Sequence, residues 1–132
     1  MARILVAEDD AFMLRLLAMW LGRNGHEVTE ASNGVAAQAA ILDLPHGRFD
    51  FIVSDINMPG LSGIALAEWL RHERRCGAPM ILLSSRCDHD KIEEQVAALD
   101  VSVHAKPFSP ARLVAEIERR LAAGKSVGTA GG

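Results

Sequence analysis

Residues 52–60 read IVSDINMPG. Two apolar residues and a small one, Ile52 to Ser54, lead into a single carboxylate, Asp55, and Asn57 and a Met-Pro-Gly turn follow. Proline and glycine punctuate the chain there, so the acid stands at the carboxyl end of a short apolar strand. A charge at the end of a buried run is costly unless it is paired or used. What the other apolar runs end in therefore decides how Asp55 is read.

Five such runs occur: RILVA (3–7), EVTEA (27–31), FDFIVS (49–54), PMILLS (79–84) and VSVHA (101–105). Between and after them lie segments of helical period, at 11–23, 34–43, 63–73, 90–98 and 109–122. Strand then helix, five times, predicts an α/β domain with a parallel sheet covered on both faces. The first, third and fourth runs are almost continuously apolar and belong in the middle of the sheet. The second and fifth are mixed and belong at its edges. Gly25, Gly34, Gly47 and Gly77 punctuate the connections, and Asn33-Gly34 reads as a turn. Ser109-Pro110 reads as a helix N-cap followed by proline at the first helical position. From Gly124 the chain runs GKSVGTAGG. That composition cannot bury a core, which predicts one domain over 1–122 and a flexible tail over 123–132.

The bulk numbers exclude several classes. A chain of 132 residues is one domain's worth, enough to bury roughly two thirds of its unfolded surface. Net charge is −3 with no basic stripe, which argues against direct nucleic-acid binding. No apolar run reaches the ~18 residues of a membrane span. The start, MARILVAEDD, lacks the apolar stretch of a signal peptide. Cys76 and Cys87 are too few for a disulfide scaffold, and a reduced, cytoplasmic setting is the simplest expectation.

In a parallel sheet the strand carboxyl ends share one edge, and ligands bind in the crevice there. The first run is followed by Glu8, Asp9 and Asp10, the third by Asp55, the fourth by Ser84 and Ser85, and the fifth by Lys106-Pro107. Singly, each has an ordinary explanation: Asp10 as an N-cap, Asp55 as a turn cap, Ser84 as a strand end, Lys106 as a solvated lysine. Together, from four strand ends, acids, hydroxyl and ammonium argue one site.

In their order along the chain, ILVAEDD, SDINMPGLSG, ILLSS and AKPF resemble the receiver domain of bacterial two-component response regulators, over about residues 2–122. The resemblance implies a flavodoxin-like (βα)5 three-layer sandwich with a five-stranded parallel sheet of order 2-1-3-4-5. It implies that Asp55 accepts a phosphoryl group from a phosphohistidine on a histidine kinase or phosphotransfer protein. It also implies Mg²⁺ (or Mn²⁺) held by Asp9, Asp55 and the backbone carbonyl of Asn57, with Glu8 acting close by. Like-charged carboxylates held together oppose one another's ionisation, and a hard divalent cation relieves that. Lys106 would give the phosphoryl group a fixed positive charge, oriented by a cis bond to Pro107. The Ser84 hydroxyl would turn towards it as the switch. Asp10 falls outside this set. Asn57 and Arg86 occupy positions that tune phosphoaspartate lifetime. The implied role is a signalling acceptor for a downstream protein target. It is not an enzyme beyond self-phosphorylation from phosphodonors and autodephosphorylation. A homodimer is compatible with it.

Two features depart from the pattern or add to it. Where the family often has an aromatic, three residues before the lysine, this chain has Val103, and it contains no tyrosine. His104 is left as a substitute or as an edge-strand histidine. On the helix over 11–23, Met13, Leu14, Leu17, Trp20 and Leu21 form the core arc, and Phe12, Leu16 and Met19 a second apolar stripe suited to a docking partner. A flavin site would want a Ser/Thr/Gly-rich loop where EDDAF stands, and no GxGxxG is present. The histidines and cysteines lack zinc-ligand spacing, and a haloacid-type phosphatase would want an acid where Asn57 stands. The surviving alternative is a degenerate receiver, acting as a phosphorylation-independent interaction module.

Overall fold

The computed structural model describes residues 2–44, 49–74, 76–85, 88–106 and 109–131, with side chains up to Ala123. The five apolar runs form one parallel sheet: β1 (Arg3–Ala7), β2 (Glu27–Ala31), β3 (Phe51–Asp55), β4 (Met80–Ser85) and β5 (Ser102–Lys106). Its order is β2-β1-β3-β4-β5, so the mixed runs are the edges and the apolar ones the centre, as their composition demands. Five helices accompany the strands: α1 (Ala11–Arg23), α2 (Gly34–Leu42), α3 (Gly63–Glu68), α4 (His89–Gln95) and α5 (Pro110–Gly131).

Strand side chains alternate between faces, and the core divides accordingly. Ile4, Val6, Phe51, Val53, Ile81 and Leu83 pack with Leu14, Leu17 and Leu21 of α1 and Leu113, Val114 and Ile117 of α5. Leu5, Ala7, Ile52, Met80 and Leu82 pack on the other face with Ala37 of α2, Leu66 of α3, and Val96 and Leu99 beyond α4. The sheet is thus a partition between two apolar layers.

Local chemistry sets the ends of the elements. Asp10 caps α1, its carboxylate accepting the N–H groups of Phe12 and Met13. Ser62 caps α3 through the Ala65 N–H, and the Ser109 hydroxyl accepts the Arg112 N–H at 3.3 Å ahead of Pro110. Asn33-Gly34, a turn by its sequence, is instead a helix start. The Asn33 carboxamide accepts the Ala36 N–H at 2.8 Å, and Gly34 is required because a Cβ there would lie 2.2 Å from the Leu61 carbonyl oxygen. Asp55 is the last residue of β3 rather than the first beyond it. The segment expected as one helix over 63–73 is α3 followed by a π-helical turn, Trp69–Glu73. That expected over 90–98 begins at His89, ends at Gln95 and passes into a 3-10 turn, Ala97–Leu99. The α5 backbone continues to Gly131, past the expected end at 122. Among the residues whose side chains are described, Leu121 is the last packed on the core, and helix propagation needs only one backbone bond per added residue.

Candidate functional site

Register brings the strand ends together. Ala7 lies beside Ser54, Asp55 beside Leu83, and Leu83 beside His104. By alternation Glu8, Asp55 and Lys106 share the phase of Val6, Val53 and His104, so all three project from one side of the sheet at its carboxyl edge. The Lys106 ammonium donates to Glu8 Oε1 at 2.9 Å and stands 3.3 Å from Asp55 Oδ1. Glu8 is wholly buried and Asp55 nearly so, whereas Asp9 is exposed. Carboxylate oxygens of Glu8, Asp9 and Asp55 lie within 4.8 Å of one another. Asn57 is exposed on the loop beyond β3. That loop is fixed by the Gly63 N–H donating to the Ile56 carbonyl at 3.0 Å. Ser84 is buried, and its hydroxyl has no hydrogen-bond partner among the described residues.

The electrostatics follow from crowding. Burial pushes the Glu8 carboxyl up to about 7, helped by the neighbouring Asp55 carboxylate and opposed by Lys106 and the Asp10 N–H. Burial pulls Lys106 down, but Glu8 and Asp55 outweigh it and hold the ammonium above its usual range. Lys106 thus faces two buried acids, and the exposed Asp9 lies close to both acids. This oxygen-rich, anionic donor set fits a small hard divalent cation, which binds through a few carboxylates and keeps its other positions for water and phosphate.

The second stripe on α1 stands apart from the core arc. Phe12 is 74% and Met19 53% exposed, and Leu16 is half-buried. With Arg15, Ala18 and Glu30 they line a concavity of about 400 Å³. At the opposite edge, Val103 packs into the layer under α3 and α4. His104 reaches Glu116 of α5 at 2.7 Å, so it does not occupy the place of the missing aromatic. On α4, ligand atoms of His89, Asp90 and Glu93 also approach within 4.8 Å, a grouping that inspection for zinc spacing passed over; His89 and Glu93 form a surface pair one helical turn apart. Arg86 and Pro107, named above for phosphoryl lifetime and for the cis bond, lie outside the described residues, as does Gly47.

A doubly wound parallel sheet with acids and a lysine at its carboxyl edge defines a flavodoxin-like domain with an anionic site at the usual ligand-binding edge. The response regulator receiver domain family matches residues 4–118, and the chain belongs to it: this is a receiver domain of two-component signal transduction. It is 32% identical over 120 residues to the transcriptional regulatory protein ResD of Bacillus subtilis, covering 90% of this chain and 48% of that protein. It is 37% identical over 117 residues to the phosphate regulon transcriptional regulatory protein PhoB of Pseudomonas aeruginosa, covering 87% and 49%. The chain therefore spans about half the length of these curated relatives. Among solved structures it resembles the Francisella response regulator 1452 receiver domain, with 26% identity, TM-score 0.81 and coverage of 94% and 99%. It also resembles the Thermotoga maritima response regulator TrrA in complex with Mg²⁺-BeF, with 28% identity, TM-score 0.74 and coverage of 90% and 98%.

Sequence reasoning passed over Ser54. It is wholly buried, and its hydroxyl donates to the Asp55 carbonyl at 2.9 Å. The available signal was a polar residue inside an otherwise apolar run.

Proposed function

We propose that Asp55 is the phosphoacceptor of this receiver domain and takes its phosphoryl group from a phosphohistidine on a histidine kinase or phosphotransfer protein. An Asp55 carboxylate oxygen attacks phosphorus, the N–P bond breaks, and the histidine nitrogen leaves and is reprotonated. The observation that carries the reading is one ammonium, Lys106, set against both Glu8 and Asp55, with Ser84 buried at the end of β4 and its hydroxyl without a partner among the described residues.

Lys106 is held charged by its two acids and meets the negative charge that gathers on the phosphoryl oxygens. Ser84 has a donor to spare and gives it to a phosphoryl oxygen, drawing the end of β4 with it. Glu8, Asp9 and Asp55, with the backbone carbonyl of Asn57, are the groups that hold Mg²⁺ or Mn²⁺. When bound, the cation neutralises their mutual repulsion and adds positive charge at the transferring group. Phe12, Leu16 and Met19 receive the donor protein, and a downstream protein target reads the switched surface. The domain acts in the cytoplasm as a signalling acceptor, with no reaction beyond its own phosphorylation and dephosphorylation. It has no direct nucleic-acid or membrane contact and is compatible with a homodimer. No helix among the described residues is long and apolar enough to cross a membrane. The working unit is residues 1–122.

The test is intact-protein mass spectrometry after incubation with phosphoramidate and Mg²⁺. One phosphoryl adduct is expected, lost in chelator, lost in Asp55→Ala and removed by hydroxylamine as an acyl phosphate is. An adduct that persists in Asp55→Ala, or no adduct in folded protein, would refute the assignment.

A further inference from the structure

Four polar or charged side chains are buried among the described residues: Glu8, Ser54, Asp55 and Ser84. The proposed chemistry uses three. Ser54 has no part in it, yet its hydroxyl is out of water in a strand where alanine would fit without desolvation cost. We propose that Ser54 is a positioning residue for the acceptor, fixing the peptide that follows Asp55; this rests on the reading of Asp55 as phosphoacceptor.

That peptide is held from several directions. The Ser54 hydroxyl donates to the Asp55 carbonyl at 2.9 Å. At its other end the Ile56 N–H donates to the Leu83 carbonyl at 3.1 Å, and the Ile56 carbonyl accepts from the Gly63 N–H at 3.0 Å. Gly63 closes the remaining side. A Cβ there would lie 2.3 Å from the Asp55 carbonyl oxygen and 3.0 Å from the Ile56 Cα, so only glycine fits. Two of these holds act on the Asp55 carbonyl, and Ser54 supplies the one that is a hydrogen bond. The plane they define sets the ψ of Asp55, and through it the direction of the carboxylate against the following loop and Asn57. Nucleophilic transfer is sensitive to such placement, since a misplacement of an ångström can cost about a hundredfold in rate. A hydroxyl that does not touch the phosphoryl group thus acts through the residue that does.

The experiment compares wild type, Ser54→Ala and Ile52→Val with phosphoramidate and Mg²⁺. Ile52 is a buried residue of the same strand and face, and truncating it loosens packing without touching the Asp55 carbonyl. Ser54→Ala should lower the maximal phosphorylation rate about fivefold or more, with the half-saturating phosphoramidate concentration unchanged, and Ile52→Val should not. In chelator, with no phosphodonor, the Ile56 amide should exchange with deuterium faster in Ser54→Ala while the Val53 amide does not. A rate within twofold of wild type, an equal loss in Ile52→Val, or an unchanged Ile56 amide would each overturn the proposal. Asp55→Ala, run alongside, separates this from failure of the acceptor assignment, because an adduct persisting there condemns the acceptor and not Ser54.

Discussion

Glu8 should make the metal-free protein less stable as pH rises. Its carboxyl is buried beside Asp55 and holds its proton up to about 7 folded, against 4.5 in the free side chain. A raised folded value means that the native state binds the proton more tightly. The stability it confers is fully present below 4.5 and is lost as pH climbs through 7. Between pH 5 and pH 8 that loss is about 2–3 kcal/mol. For a domain of this size it corresponds to roughly 10 °C in Tm. Lys106, raised above its usual value, contributes only at pH values beyond this window. Glu8→Gln keeps the shape and cannot ionise, so its stability curve should lack this fall. The assay is urea unfolding in chelator at pH 5, 6, 7 and 8 for both proteins, read as the difference between them. Wild type should lose about 2–3 kcal/mol relative to Glu8→Gln over the series, and Mg²⁺ should recover much of it at pH 8 by preferring the ionised acids. Parallel curves for the two proteins would refute the reasoning, because Glu8 would then be ionised without penalty.

Four further outcomes are expected. Ser84→Ala should stabilise the unphosphorylated protein by about 1 kcal/mol, since its buried hydroxyl has no partner among the described residues, yet shrink the amide shift of Ala105, its neighbour on β5, on phosphorylation. Gly34→Ala should cost about 2–3 kcal/mol in urea unfolding, as its Cβ meets the Leu61 backbone at 2.2 Å. Leu16→Glu should leave the phosphoramidate rate unchanged while lowering transfer from the cognate phosphohistidine protein about tenfold or more. Cutting the chain after Ala123 should change unfolding free energy by no more than about 0.5 kcal/mol, because the GKSVGTAGG that it removes has almost no large apolar side chain to bury.

The architecture was legible because both signals that specify it are local. Runs such as RILVA and MILLS declare buried strands by composition, and the helical period of 11–23 declares its own inward face. The members of the site were legible for a related reason, since a strand carries its terminal residue to the shared edge whatever happens elsewhere. What could not be read is how those members rank. Nothing in the runs shows that strand alternation buries Glu8 against Lys106, ninety-eight residues away, and leaves Asp9 exposed. Asn33-Gly34 carries the composition of a turn, and only the approach of Leu61 shows why glycine must begin a helix there. His104 was ambiguous until Glu116 of α5 was seen to take it. In each case a contact distant in sequence decided the outcome, and periodicity is blind to those.

The two apolar layers that the sheet keeps apart have a consequence for how such a chain can change. The exposed stripe of α1 belongs to the layer shared with α5, while Ser84 and the Val103 that replaces the aromatic follow the phase of the layer under α3 and α4. Substitutions without shared neighbours combine almost additively. On the proposed reading, the docking stripe and the switch hydroxyl therefore lie on opposite sides of one wall. A lineage can rewrite the first without rehearsing the second, and what binds both sides to a common design is the row of strand ends along the top of that wall.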